Sequence, residues 1–135
     1  MGIGTKLGIF GLSGASSFSN TYSIAFDGVD DYIDCGDNDN LSFGDASNDS
    51  PFSISAWIKI PSGGAGFYVC SKNRYDSPPS RDEYAFYISA GSEKLIFYLF
   101  DLDLNNRRGR TTDVISIFDE WFHVAATYNG VGGSS

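Results

Sequence analysis

From Tyr22 onward, apolar and polar positions alternate in short runs separated by turn-forming residues. In FSISAWIKI, residues 52–60, Phe52, Ile54, Ala56, Ile58 and Ile60 fall on one side of an extended chain, and Ser53, Ser55, Trp57 and Lys59 fall on the other. A period of two marks a strand with one face in a core and one toward water. YSIAF and DYIDC flank the turn signal DGVD and predict two further strands, with Asp27-Gly28 as a tight turn. FYVCSK predicts another strand, and EYAFYISAGSEKLIFYLFD predicts an aromatic-rich β-hairpin around a short Gly-containing loop. TDVISIF and WFHVAATY, divided by Asp119 and Glu120, predict the last pair. NRYDSPPSRD, residues 73–82, is a polar loop, because paired prolines exclude a central strand. No helix and no internal repeat stands out.

Roughly seven or eight antiparallel strands at this spacing predict two sheets packed face to face, since a single sheet would leave its apolar face in water. Periodicity alone does not choose among sandwich topologies. Composition agrees with β structure: fourteen Asp and sixteen Gly stand against three Glu and one Met, poor material for helices. A chain of 135 residues, 41% hydrophobic, is enough for one core and one domain. The predicted organisation is a Gly/Ser-rich arm over residues 1–21, a sandwich over 22–130 and a Gly/Ser-rich terminus over 131–135.

The net charge of −8 is concentrated. No Lys or Arg lies between Lys6 and Lys59, where Asp27, Asp30, Asp31, Asp34, Asp37, Asp39, Asp45 and Asp49 all stand. That pattern speaks against nucleic acid, whose recognition needs a basic footprint. Arg107, Arg108 and Arg110 form the one basic cluster, expected as a solvated loop. No apolar run is long enough to span a bilayer, and the N-terminal stretch, broken by Gly, makes a weak secretion signal. Cys35 and Cys70 each lie inside an apolar strand-like run. Two buried free thiols are the simpler expectation, and one bridge across facing strands is the alternative, which would imply an oxidising compartment.

Four phrases in order, SIAFDGVDDYIDCG, FSISAWIKI, EYAFYI and WFHVAATYNG, resemble the concanavalin A-like jelly rolls of the laminin G-like type over about residues 22–130. FDGVDDYI and WFHVAATYNG are the most distinctive of them. The resemblance implies an all-β, antiparallel two-sheet sandwich. It also implies a module, often non-catalytic, that binds glycans or proteins at surfaces, sometimes with calcium, on phage virions or secreted proteins. In that family the last phrase is normally followed by a further hairpin and closing strands, whereas here GVGGSS follows. The sandwich is therefore expected to be incomplete or completed by a partner chain, with the N-terminal arm of this or a neighbouring subunit as the covering segment.

Candidate chemistry is sparse. Asp101 and Asp103 are the nearest approach to the paired carboxylates of a glycan hydrolase, without a third acid in step, and a strand end entering a turn explains them. His123 is the only histidine and no nucleophile-elbow motif accompanies it, so it is expected to be structural. Calcium suits the acidic stretch, with Asp27 and Asp30 as the candidate ligands, because this hard cation collects carboxylate and carbonyl oxygens. An EF-hand is excluded, since DLDLNNRRGRTT lacks the required Gly and terminal Glu. Glycan binding would use exposed aromatic faces with polar groups beside them. Tyr75, next to Arg81 in the polar loop, and Trp57 on the serine-bearing face of its strand are the candidates, while most of the 21 aromatic residues are expected in the core. Two roles follow: surface recognition of glycan or protein on a virion or secreted protein, or structural decoration of a particle whose subunits contact one another through the arm. Glycan hydrolysis is a distant third.

Overall fold

The computed structural model describes residues 21–44, 48–63, 66–72, 83–101 and 106–131. Among them are six strands and one short 3-10 turn. In chain order these are β1 (Phe52–Lys59), β2 (Phe67–Lys72), β3 (Tyr84–Ile88), β4 (Lys94–Asp101), β5 (Asn106–Val114) and β6 (Trp121–Tyr128), with the turn at Asp39–Leu41 before them. Every pairing is antiparallel: β2-β3-β4-β5 form one sheet and β1-β6 the other. The fold is the all-β two-sheet sandwich that the periodicity predicts.

The alternation in β1 is realised residue by residue. Phe52, Ile54, Ala56 and Ile58 face inward, and opposite them across the ladder stand Tyr128, Ala126, Val124 and Phe122. Large residues meet small ones in the middle of this pair, Ile54 with Ala126 and Ala56 with Val124, which lets the sheet approach its partner closely. From the other sheet come Tyr84, Phe86 and Phe97, which with Val124 form the buried centre. Phe86 is 1% exposed and meets Phe97 edge-on at 6.0 Å between ring centroids. Phe43, just after the 3-10 turn, stacks flat on Phe52 at 4.0 Å and closes one end.

The sequence expectation fails in three places. YSIAF and DYIDC form no strands: among the described residues Tyr22–Ile33 has no ladder partner, and its apolar side chains stay exposed, Tyr22 at 88% and Tyr32 at 81%. The expected Asp27-Gly28 turn is present, with Gly28 at φ +78. There side chains replace ladder bonds: the Val29 and Asp30 amides donate to Asp27 Oδ1 at 2.8 and 3.4 Å, and the Asp27 amide donates to Asp31 Oδ2 at 2.8 Å.

The second correction is the basic cluster, which lies in β5 rather than in a loop. As an edge strand, β5 bonds its backbone to β4 while its arginines stay in water, an arrangement that discourages edge-to-edge pairing. Correspondingly, TDVISIF is strand only as far as Val114, because β4 begins at Lys94 and offers no backbone further along. The third correction concerns the cysteines. Cys70 is in β2 and Cys35 is in none of the strands, and both are exposed rather than buried, because β2 is an edge strand and the segment before the 3-10 turn is unpaired.

Candidate functional site: an aromatic row on the four-stranded sheet

Alternation in β3 sends Tyr84, Phe86 and Ile88 inward and Ala85 and Tyr87 outward; in β4 it sends Leu95, Phe97 and Leu99 inward and Ile96, Tyr98 and Phe100 outward. The register then assembles the outward rings. Tyr68 of β2 stands directly opposite Tyr87, and the two stack at 5.1 Å with planes 27° apart. Tyr98 is the diagonal neighbour of Tyr87 at 6.1 Å, and Phe100 follows at 6.3 Å. From β5 the Arg107 guanidinium carbon lies 4.7 Å from the centre of the Tyr98 ring, within cation–π range. A row of four rings therefore crosses three strands and ends at a cation.

Beneath these rings Ala85 and Ile96, opposite Tyr98 and Tyr87, are buried at 1% and 8% exposure although they face outward. The rings therefore cover these two residues, Tyr68 and Tyr87 face to face and Tyr98 and Phe100 at an angle to each other. Gly109, opposite Tyr98, makes room for this: a Cβ there would come 2.4 Å from Tyr98 Cδ1 and 2.1 Å from the Phe97 carbonyl oxygen. Tyr68 keeps the most exposure of the tyrosines in the row. The Tyr87 phenol is pushed above its ordinary range, by burial first and by the neighbouring Tyr98 and Tyr68 phenols next, with Arg107 opposing. It is therefore neutral at physiological pH, and the row offers hydroxyls and π faces rather than negative charge.

Two antiparallel sheets packed through apolar inner faces are the architecture that the four phrases implied; the aromatic row on the outer face is an addition from the structure. A family model described as the concanavalin A-like lectin/glucanases superfamily, in its laminin G-like form, matches residues 27–135. The chain belongs to this laminin G-like family. No curated protein and no solved structure matches it. Laminin G-like domains are generally binding modules without catalysis, although the superfamily includes glycosidases, so this laminin G-like chain carries a lectin-like fold suited to carbohydrate or protein ligands.

The structure separates the residues singled out from sequence. Trp57 is 64% exposed on the outer face of β1, its ring 5.4 Å from that of His123 directly across the ladder, and Trp121 is exposed on the same face. This patch belongs to the two-stranded sheet and so to the opposite side of the sandwich from the aromatic row. Tyr75 and Arg81 lie outside the described residues, as does Asp103. Asp27 and Asp30 are exposed and, with Asp31, bring one carboxylate oxygen each within 4.8 Å of one another. Two of these carboxylates already accept backbone amides of the turn. That leaves other oxygens for a cation, with waters or carbonyls needed to complete its shell.

Sequence reasoning passed over Tyr68, Tyr87, Tyr98 and Arg107. The aromatics were expected to fill the core and the arginine to sit in a loop. The available signal was the phase within each strand: Tyr87 is out of step with Phe86 and Ile88, and Tyr98 with Phe97 and Leu99. A shallow apolar groove of about 290 Å³, lined by Leu95, Val114, Ile117, Phe122 and Val124, opens elsewhere, at the flank between the ends of β5 and β6. Its one charged lining residue is Asp113, so it lacks the convergent polar groups of a sugar or enzyme site.

Proposed function

We propose that this laminin G-like module recognises glycans at a surface, without catalysis, through the row Tyr68, Tyr87, Tyr98 and Phe100 flanked by Arg107. The observation that carries this reading is the continuous run of adjoining rings on the outer face, Tyr68 stacked on Tyr87, Tyr98 tilted against Tyr87 and Phe100 edge-on to Tyr98, over the buried Ala85 and Ile96 and beside Gly109. Sugar rings present C–H faces that pack on aromatic faces, while tyrosine hydroxyls and a guanidinium fix orientation by hydrogen bonds. A surface role, on a secreted protein or virion, accords with that chemistry.

The test is a glycan array followed by titration of the best hits, on wild type and on Tyr98→Ala. The expected loss is at least about tenfold in affinity for the variant, from removing one stacked ring. An array blank with and without calcium would overturn the glycan reading and leave a protein surface as the ligand. Calcium at Asp27 and Asp30 is a proposal on the same footing, supported by the spacing of the three carboxylates. It predicts a melting temperature that rises with calcium and returns with chelator, and an Asp27→Asn/Asp30→Asn variant that does not respond.

A second reading, an assembly or decoration subunit, draws on a different observation. Among the described residues β1 and β6 have no ladder partner but each other, and Tyr22, Ile24, Phe26, Val29 and Tyr32 stand exposed on the segment that precedes the 3-10 turn. Open edges and exposed alternating apolar residues favour strand addition from a neighbouring copy. Light scattering giving a monomer mass at every accessible concentration would rule against it.

A further inference from the structure

Away from the aromatic row, the segment leading into the 3-10 turn is fastened to β2 by one lysine. Lys72 Nζ lies 2.9 Å from Glu83 Oε1 and 3.3 Å from Asp37 Oδ1, donates to the Asn38 carbonyl at 3.3 Å, and also bonds the Ser42 hydroxyl. Cys70 stands two residues before Lys72 on β2, and Cys35 stands two residues before Asp37 on the fastened segment. Across the β2–β3 ladder, Cys70 is opposite Phe86 and Lys72 is opposite Tyr84, both core residues. Cys70 and Lys72 therefore share the inner-facing side of the edge strand, the side over which the segment passes.

From this juxtaposition we propose that Cys35 and Cys70 are a disulfide-forming pair that staples the segment before the 3-10 turn to the edge of the four-stranded sheet. The electrostatics agree on their closeness. The Cys70 thiol, exposed at the strand edge yet partly desolvated against the sheet, is raised by that desolvation first and then by the charge of Cys35, and the Tyr84 phenol, raised mainly by burial, feels both thiols. Both cysteines are exposed, so an oxidant reaches them. Gly36, at φ +70 with its amide bonded to Asp34 Oδ1 at 2.8 Å, makes a turn next to Cys35. Among the described residues that turn belongs to no strand ladder, so a movement of Cys35 that closes a bridge breaks no sheet pairing.

The step balances with a low-molecular-weight disulfide as oxidant. One cysteine thiolate attacks it, forming a mixed disulfide and releasing one small thiol. The second cysteine thiolate then attacks the protein sulfur of that mixed disulfide, forming the Cys35–Cys70 bond and releasing the second small thiol. The protein loses two protons and two electrons, which the two released thiols carry. The closed loop encloses the 3-10 turn and β1, so the bridge restricts the unfolded chain over a long span.

The experiment incubates the full chain with oxidised glutathione, alkylates the remaining thiols, and maps peptides by mass spectrometry under non-reducing conditions. A Cys35–Cys70 cross-linked peptide within one chain is expected. It should be accompanied by a rise in melting temperature on the order of 10 °C that dithiothreitol reverses. Cys35→Ser and Cys70→Ser should each abolish both the cross-link and the rise, while keeping the melting temperature of the reduced wild type. Two alkylatable thiols after oxidation, stable glutathione adducts on both cysteines, or cross-links solely between chains would each overturn the proposal. This test is independent of glycan binding.

Discussion

Gly109 of β5 and Tyr98 of β4 face each other across the ladder, and the ring of Tyr98 occupies the space where a Cβ of residue 109 would be, 2.4 Å from Cδ1. The glycine is thus a condition for the position of that ring. Gly109→Ala should destabilise the protein by about 1–3 kcal/mol, as overpacking does, and tilt Tyr98 off the sheet. Urea denaturation measures the first effect and glycan titration the second. In a Gly109→Ala/Tyr98→Ala double variant part of the stability cost should remain, because the Phe97 carbonyl oxygen is closer still at 2.1 Å.

The Tyr128 phenol donates a hydrogen bond to Asp49 Oδ2. Burial, that bond and the Asp49 charge push the phenol up to about 12. An unfolded tyrosine loses its proton near pH ~10, so over the interval above that the native state holds the extra proton and stability falls as pH rises. The contribution is whole below pH ~10 and is gone once pH passes the native value. Tyr128→Phe should lower stability at neutral pH by about 1 kcal/mol and make the alkaline decline shallower. Denaturation midpoints taken across pH 9 to about 12 check both.

Lys72 holds Glu83, Asp37, Asn38 and Ser42 at one ammonium. Burial pulls its pKa down, but hydrogen bonds and charges from Glu83 and Asp37 outweigh this and leave it above the ordinary lysine value. Its contribution is complete below pH ~10.4 and is lost as pH rises through the raised value. Lys72→Met should cost about 1–3 kcal/mol, since Glu83 is left partly buried without its cation. Limited proteolysis between Gly36 and Leu41 should become faster in the variant, and a cleavage rate equal to wild type would show that the lysine does not fasten that segment.

Phe86, the largest fully buried side chain among the described residues, sits where both sheets meet. Phe86→Ala should cost about 3–5 kcal/mol, a large share of the roughly 5–15 kcal/mol that holds a domain folded. Thermal melts followed by circular dichroism test this. Trp57→Ala, on an exposed outer face, should cost far less.

The sequence by itself determined the strands whose neighbours are close along the chain or whose burial is one-sided. The inner face of β1, the β3–β4 hairpin and the span of β6 are all legible as period-two runs, because in a half-buried strand the side-chain period is set by the backbone alone. The family phrases likewise carried the sandwich. Whether a run pairs at all was decided by tertiary structure. YSIAF has the same alternation as β1 but, among the described residues, no strand beside it, while NRRGRTTDV has little apolar pattern yet pairs with β4. The candidate site depended on the same thing. Tyr68, Tyr87, Tyr98 and Arg107 come from four strands, and only the ladder register, including the irregularity between Tyr68 and Cys70, brings their side chains into one row. Register is a relation between strands distant in sequence, fixed by packing of the buried face, and no single strand's pattern contains it.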